Sequence, residues 1–273
     1  IIENFNSDKM QSLREKFLNG EEPVECGSCW KREELIGKSR RLWFDEKFEK
    51  YTDPNSNHYT KTIVENPQFI QADINFSNVC NLKCRMCGSW GSNQWFDEEI
   101  MLAKADPKFQ KNPNPVELQQ YTLEDIQSMF PHMESIKRID FKGGEPMLAK
   151  AHTVFLQWLI DNGRTDVQLN YTTNGTVRNP NIINMLSKFD KVVIIFSIEG
   201  TGDLYQYIRG GEYNLKHFEE TVFKYNDLEN VSLGFNVTLQ NYNLLNLKKL
   251  HSYLFDLDNK FHNVDARSAF NTI

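Results

Sequence analysis

Three cysteines stand at C-x3-C-x2-C spacing in the stretch Asn75-Phe-Ser-Asn-Val-Cys80-Asn-Leu-Lys-Cys84-Arg-Met-Cys87. Thiolates this close in sequence are ligands for iron–sulfur clusters, and three of them can hold three irons of a four-iron cluster. No cysteine follows Cys87, so the fourth iron is left to a ligand that is not protein. Three blander uses compete: a zinc site, inert buried thiols and a disulfide. Structural zinc takes four ligands, often in paired C-x2-C knuckles, and the triplet offers three. A disulfide leaves one thiol over and suits an exported protein better.

Two further thiols lie upstream in Cys26-Gly-Ser-Cys29-Trp30. Two ligands do not complete a metal site, so a redox-active or zinc-binding pair and two structural thiols stay open beside a cluster. Downstream, Phe141-Lys-Gly143-Gly144-Glu145-Pro146 sets a carboxylate, which can accept from an ammonium group, beside two glycines. Glycines let the backbone approach a ligand closely; the plain alternative is a turn with Pro146 near a helix start. In Tyr171-Thr172-Thr173-Asn174-Gly175 the hydroxyls and amide, Thr172 and Asn174 above all, suit hydrogen bonds to a ribose or a carboxylate. The plain alternative there is a polar turn with Gly175 at positive φ. The six histidines are scattered, none at metal-ligand spacing with another ligand.

The triplet, with Gly143-Gly144-Glu145-Pro146 after the next strand, resembles the signature of the radical S-adenosylmethionine (radical SAM) superfamily. The resemblance implies a [4Fe-4S] cluster on Cys80, Cys84 and Cys87 whose open iron chelates the amino and carboxylate groups of SAM. It implies that the Gly143–Pro146 turn contacts the SAM amino group and that Ser197 and Glu199, in Ser197-Ile-Glu-Gly, contact the ribose. Arg209, in Tyr207-Ile-Arg-Gly-Gly, resembles the arginine that pairs with the SAM carboxylate, and Val237 would give apolar contact to adenine. Met86 stands where the family usually has an aromatic residue; a thioether also covers an aromatic face. Cys26 and Cys29, with the downstream Ser39-Arg40, are similar to half of a SPASM or twitch module, which carries an auxiliary iron–sulfur cluster. Here that phrase precedes the core instead of following it.

The activity so implied is one-electron cleavage of SAM, driven by a reductant such as ferredoxin or flavodoxin. It yields methionine and a 5′-deoxyadenosyl radical that abstracts hydrogen from a substrate. That substrate is expected to be a peptide or protein; a small metabolite or cofactor precursor is the alternative. An interaction module stabilised by zinc or a cluster, without turnover, is the expectation from a different class. The Trp90–Phe96 segment, the proline-rich loop and the N-terminal module are candidates for a lid over the radical.

These motifs need a frame that brings them together, and the chain supplies the pattern of one. From Pro67 strand-like and helix-like runs alternate, which is the sequence form of a parallel α/β sheet or barrel. Expected strands are Phe69–Phe76, Ile136–Phe141, Val167–Tyr171, Val192–Ile198 and Val231–Leu239, with a weaker sixth at Ala266–Thr272. Expected helices are Trp95–Ala103, Leu123–Phe130, Ala149–Asp161, Ile182–Lys188, Leu215–Asn226 and Leu244–Leu257. Six such units fit a partial (β/α)6 TIM-like barrel better than a closed eight-unit one, for which the chain is short. Ligands of such folds gather at the carboxyl ends of the strands, which is where the motifs fall.

Residues 1–66 are expected to form a small, mainly helical segment and linker, and 67–273 the core domain. In the former, Phe5–Gly20 reads as an amphipathic helix capped by Asn6 or Ser7, and a second helical stretch runs from about Glu33 to Tyr51. Residues 52–66 read as a linker, and Ala103–Gln120, with three prolines, as an inserted loop. The chain opens on Ile1, inside a helical phrase, so residues missing upstream, and at the downstream end too, are expected.

Composition excludes several other classes. Of 273 residues, 40% are hydrophobic and 25% charged, as in ordinary globular proteins. A net charge of −6 argues against a phosphate-backbone binder. The longest apolar run, Val192–Phe196, is far too short to cross a bilayer. Five cysteines without a secretion signal fit metal ligation in a reducing, cytoplasmic compartment.

Overall fold

The computed structural model describes residues 2–48, 69–106, 117–118, 120–260 and 264–265. The chain divides into two compact units, Ile1–Phe69 and Ile70–Ile273.

In the first unit α1 (Ile2–Phe5) and α2 (Asp8–Leu18) precede α3 (Gly27–Ile36) and α4 (Arg40–Lys47). The expected single stretch from Glu33 is thus two helices. Gly37, at φ 64°, ends α3 in the left-handed conformation that glycine adopts freely, and Ser39 then caps α4 by accepting from Leu42 N at 3.1 Å. Arg41 pairs with Glu33, Nε to Oε1 at 3.1 Å, and its guanidinium lies 4.4 Å above the Trp30 ring. The expected linker lies outside the described residues.

The second unit is built on a six-stranded parallel sheet in strictly sequential order, β1 to β6. The strands are β1 (Gln71–Asn75), β2 (Arg138–Lys142), β3 (Gln168–Thr173), β4 (Val192–Ser197), β5 (Val231–Asn236) and β6 (Val264–Asp265). The expected sixth strand, Ala266–Thr272, lies outside the described residues. The helices are α5 (Phe96–Ala105), α6 (Leu123–Met129), α7 (Lys150–Asp161), α8 (Pro180–Leu186), α9 (Asp203–Arg209), α10 (Leu215–Asn226) and α11 (Leu247–Asp258). Helix α9 is absent from the sequence expectation. It has seven residues and lies between Gly202 and Gly210.

Alternation along the strands sorts the side chains. Ile74, Ile139, Phe141, Leu169, Tyr171, Ile194, Phe196, Leu233 and Phe235 are buried. The alternating positions Asp73, Asp140, Asn170, Thr172, Ser197 and Asn236 fall on the opposite face. That face is polar on β1–β3: Gln71 Nε2 donates to Asp140 at 2.6 Å, and Lys142 pairs with Asp73 at 2.5 Å. The helices bury apolar stripes. α10 is capped by Asn214, which accepts from His217 N at 3.0 Å, and buries Phe218, Val222 and Tyr225 at helical spacing. Each such side chain contributes about 1.5–3 kcal/mol on burial. Arg164, just past α7, donates to the carbonyls of Met133, Glu134 and Ile136 at 2.6–3.0 Å and so fixes the turn that enters β2. The expected insertion begins later than the sequence suggests, because α5 runs on to Ala105, and Gln120 forms an antiparallel bridge with Ser77. Residues 107–116 lie outside the described residues.

Candidate cluster and cofactor site

The cysteine loop leaves the carboxyl end of β1 and is tied down on every side. Asn93 Oδ1 accepts from Cys80 N at 3.0 Å, Ser92 Oγ donates to Leu82 O at 2.7 Å, and Trp95 Nε1 donates to Cys84 O at 3.1 Å. Glu99 holds the far end by accepting from Ser89 N at 2.9 Å and Ser89 Oγ at 2.5 Å. From α9, the Ile208 and Tyr207 carbonyls accept from Arg85 N and Nε at 2.9 and 2.8 Å. All three thiols are free, and Cys80 and Cys84 are buried with Leu82 while Met86, Cys87 and Tyr213 pack beside them.

The turn at the end of β2 lies against this loop. Gly144 N donates to Ser77 O at 3.2 Å and Glu145 N to Val79 O at 2.7 Å. A Cβ on Gly144 would fall 2.1 Å from the Val79 carbonyl oxygen, and one on Gly143, at φ 118°, 2.1 Å from Asn75 Oδ1. What the two glycines admit is therefore the cysteine loop itself, where the sequence suggested a ligand. Pro146 and Met147 are buried in the following turn.

Glu145 is buried, and its carboxylate accepts from Thr173 Oγ1 at 2.9 Å, Asn174 N at 2.8 Å and Met147 N at 3.3 Å. It clamps the end of β3 to the end of β2. Burial pushes its pKa up, and these donors pull against that shift.

Asn174, expected to face a ribose or carboxylate, points its amide into the cysteine loop: Nδ2 donates to Asn81 Oδ1 at 2.9 Å and to Cys80 Sγ at 3.7 Å. Thr172 is exposed and Thr173 buried. Past β4, Ser197 is half-buried and Glu199 is buried against Arg209, Oε2 to Nη1 at 3.1 Å. Burial raises the Glu199 pKa while Arg209 and the Thr238 backbone pull it down. Burial would lower that of Arg209, but Glu199 and the neighbouring thiols outweigh it, so the guanidinium stays charged. Val237 is buried.

The structure thus gathers Cys80, Cys84, Cys87, Met86, Gly143–Pro146, Asn174, Glu199 and Arg209 at one end of the sheet. Cys26 and Cys29 belong to the other unit, half-buried at the start of α3. Sequence reading missed Asn81, Asn93, Thr173 and Thr176. The one signal for them is an unusual density of Asn and Thr beside the motifs.

The donor set fits a cationic metal cluster. Burial raises all three thiol pKa values, that of Cys84 to about 12, so each sulfur needs a positive partner to ionise. Arg209 supplies one such charge, and iron would supply the rest. Arg209 Nε and the Tyr205 hydroxyl are buried without hydrogen-bond partners, donors left over for a polar ligand. Among the described residues, no three His, Cys, Asp or Glu side chains are arranged to hold a metal ion.

A family model described as the radical SAM superfamily matches residues 74–251. Among solved structures, histidine-tagged anSMEcpe with bound AdoMet is 19% identical over 71% of this chain and 49% of that one, with a TM-score of 0.54. Native anSMEcpe with bound AdoMet and Cp18Cys peptide is 19% identical over 71% and 49%, with a TM-score of 0.52. Streptococcus suis SuiB bound to precursor peptide SuiA is 17% identical over 86% and 50%, with a TM-score of 0.48. The chain spans about half the length of these structures. No curated protein sequence matches it. Among the described residues no helix is long and apolar enough to cross a membrane.

Proposed function

Because the chain belongs to the radical SAM superfamily, whose enzymes use a [4Fe-4S] cluster and SAM, we propose that it is the SAM-cleaving core of an enzyme that modifies a peptide or protein. The observation that carries this reading is the meeting of three free thiols, two of them buried, the Glu145 turn and the buried Arg209 at the carboxyl ends of one parallel sheet. Bound together, the cluster and SAM supply one-electron cleavage of a carbon–sulfur bond and a carbon radical able to abstract hydrogen. Cys80, Cys84 and Cys87 would hold the cluster. Arg209, permanently charged, would take the SAM carboxylate with the donors that it and Tyr205 leave unpaired. Glu199 would keep that guanidinium oriented and accept from the ribose together with Ser197, while Val237 would meet adenine. Leu82 and Met86, packed around the thiols, exclude water from them.

One point supports a peptide or protein substrate: a fold neighbour, anSMEcpe, holds a peptide. We also assign Cys26 and Cys29 to a second, SPASM- or twitch-like cluster. Both are free, half-buried thiols, and the residues that complete the set would come from elsewhere in the protein. The partners are a one-electron reductant such as ferredoxin or flavodoxin, in a reducing, cytoplasmic compartment.

Anaerobic reconstitution tests the core of the proposal. About four irons per chain and release of 5′-deoxyadenosine on reduction with SAM are expected, or about eight irons where the second cluster forms. Colourless protein with stoichiometric zinc would refute it. A mass change in a short precursor peptide encoded beside the gene tests the substrate.

A further inference from the structure

Asn174 is 5% exposed, and both ends of its amide are committed. Its Oδ1 accepts from the Thr176 backbone N at 3.0 Å and from Thr176 Oγ1 at 2.6 Å. A backbone N–H can only donate, so the oxygen must face Thr176 and the nitrogen the opposite way. One Nδ2 hydrogen then goes to Asn81 Oδ1 and the other to Cys80 Sγ. Asn81 returns along the same path, its Nδ2 donating to Thr176 Oγ1 at 2.8 Å. Leu82 N also points at Cys80 Sγ, at 3.5 Å. Cys87 Sγ is instead set 3.5 Å from the Gly88 carbonyl, and no donor to Cys84 Sγ is found among the described residues.

We infer that Asn174 is a positioning residue which, through its amide on the Cys80 sulfur, sets the reduction potential of the cluster. This rests on the cluster assignment proposed above. Reduction adds one electron from an external low-potential donor and transfers no atoms. The added negative charge spreads onto the sulfurs, where an N–H donor stabilises it, so the reduced state gains and the potential rises. The Asn81–Asn174–Thr176 ring fixes that donor in the absence of any substrate contact.

The test is a potentiometric titration of reconstituted protein without SAM, using low-potential mediator dyes and the spectrum of the reduced cluster. N174A is expected to keep about four irons and to shift to a more negative midpoint. At fixed potential its ratio of reduced to oxidised cluster should fall about tenfold, a shift of about 59 mV for one electron. N174L, close in size but without a donor, should behave alike and serves if the alanine variant packs poorly. T176V should leave the midpoint unchanged, because the Thr176 backbone still holds the amide oxygen. An unchanged midpoint in iron-replete N174A, an equal shift in T176V, or loss of iron from both Asn174 variants would each overturn the inference. Wild-type protein that takes up no iron would overturn the cluster assignment instead.

Discussion

Arg209 Nη1 and Glu199 Oε2 face each other at 3.1 Å, both buried, one at the end of α9 and the other just past β4. Removing one member leaves the other charge buried and alone, which costs about 3–5 kcal/mol. R209A is therefore expected to unfold at markedly lower denaturant than the wild type. The double variant E199L/R209M should recover much of that stability, because it leaves no unpaired charge. SAM binding by calorimetry should stay abolished in both. Full SAM affinity in the double variant would remove this pair from the cofactor site.

Replacing Cys80, Cys84 or Cys87 by alanine should reduce iron uptake and abolish 5′-deoxyadenosine release. C26A and C29A should keep SAM cleavage, since those thiols lie in the separate N-terminal unit. Product release is measured by chromatography after reduction. Cleavage retained in any triplet variant would contradict the ligand assignment.

G144A should disturb the cluster loop, because its Cβ would sit 2.1 Å from the Val79 carbonyl oxygen, a backbone atom that cannot move alone. Lower iron content with strands intact by circular dichroism is the expected result. G163A is the comparison: φ is 66° but nothing lies within 4 Å, so it should cost only the backbone strain, about 1 kcal/mol, and keep its iron.

His152 is fully buried, with Nε2 2.9 Å from the Tyr171 hydroxyl and Nδ1 without a partner. Burial lowers its pKa to about 3. Between that value and the usual pKa of about 6.5, the unfolded chain binds one more proton at this position than the folded one. Stability is thus lost as pH falls through that window, by up to about 1.4 kcal/mol per pH unit. In H152L, the slope of stability against pH over this window should be shallower by that amount, whatever its absolute stability. Equal slopes would show that His152 is not held neutral.

Much of the frame is legible in the sequence because it follows from local periodicity. The apolar run from Val192 becomes β4, and the Leu215–Asn226 stripe becomes α10 residue for residue. What escapes is short or distant in the chain. Helix α9 offers only two turns, and its buried stripe of Tyr205, Ile208 and Arg209 ends on a cation that reads as a surface residue in the sequence. The partners of Glu145 are 28 and 29 residues away and that of Asn174 on Cys80 is 94 away, so no spacing rule connects them. Gly143 and Gly144 illustrate a further gap: the sequence says that something comes close, while only the fold says that the neighbour is Asn75 and the Val79 carbonyl.

The sequential strand order has a consequence for how the protein is made. Cys80, Cys84 and Cys87 leave the ribosome early, but their surroundings arrive late: Glu145 after β2, Asn174 after β3, Arg209 only after β4. Each new strand adds to the exposed edge of the one before it. A nascent chain halted before residue 174 would present three thiols with neither guanidinium nor amide beside them, and one halted before residue 209 would still lack the guanidinium, so metal loading belongs to a stage after synthesis has passed that point.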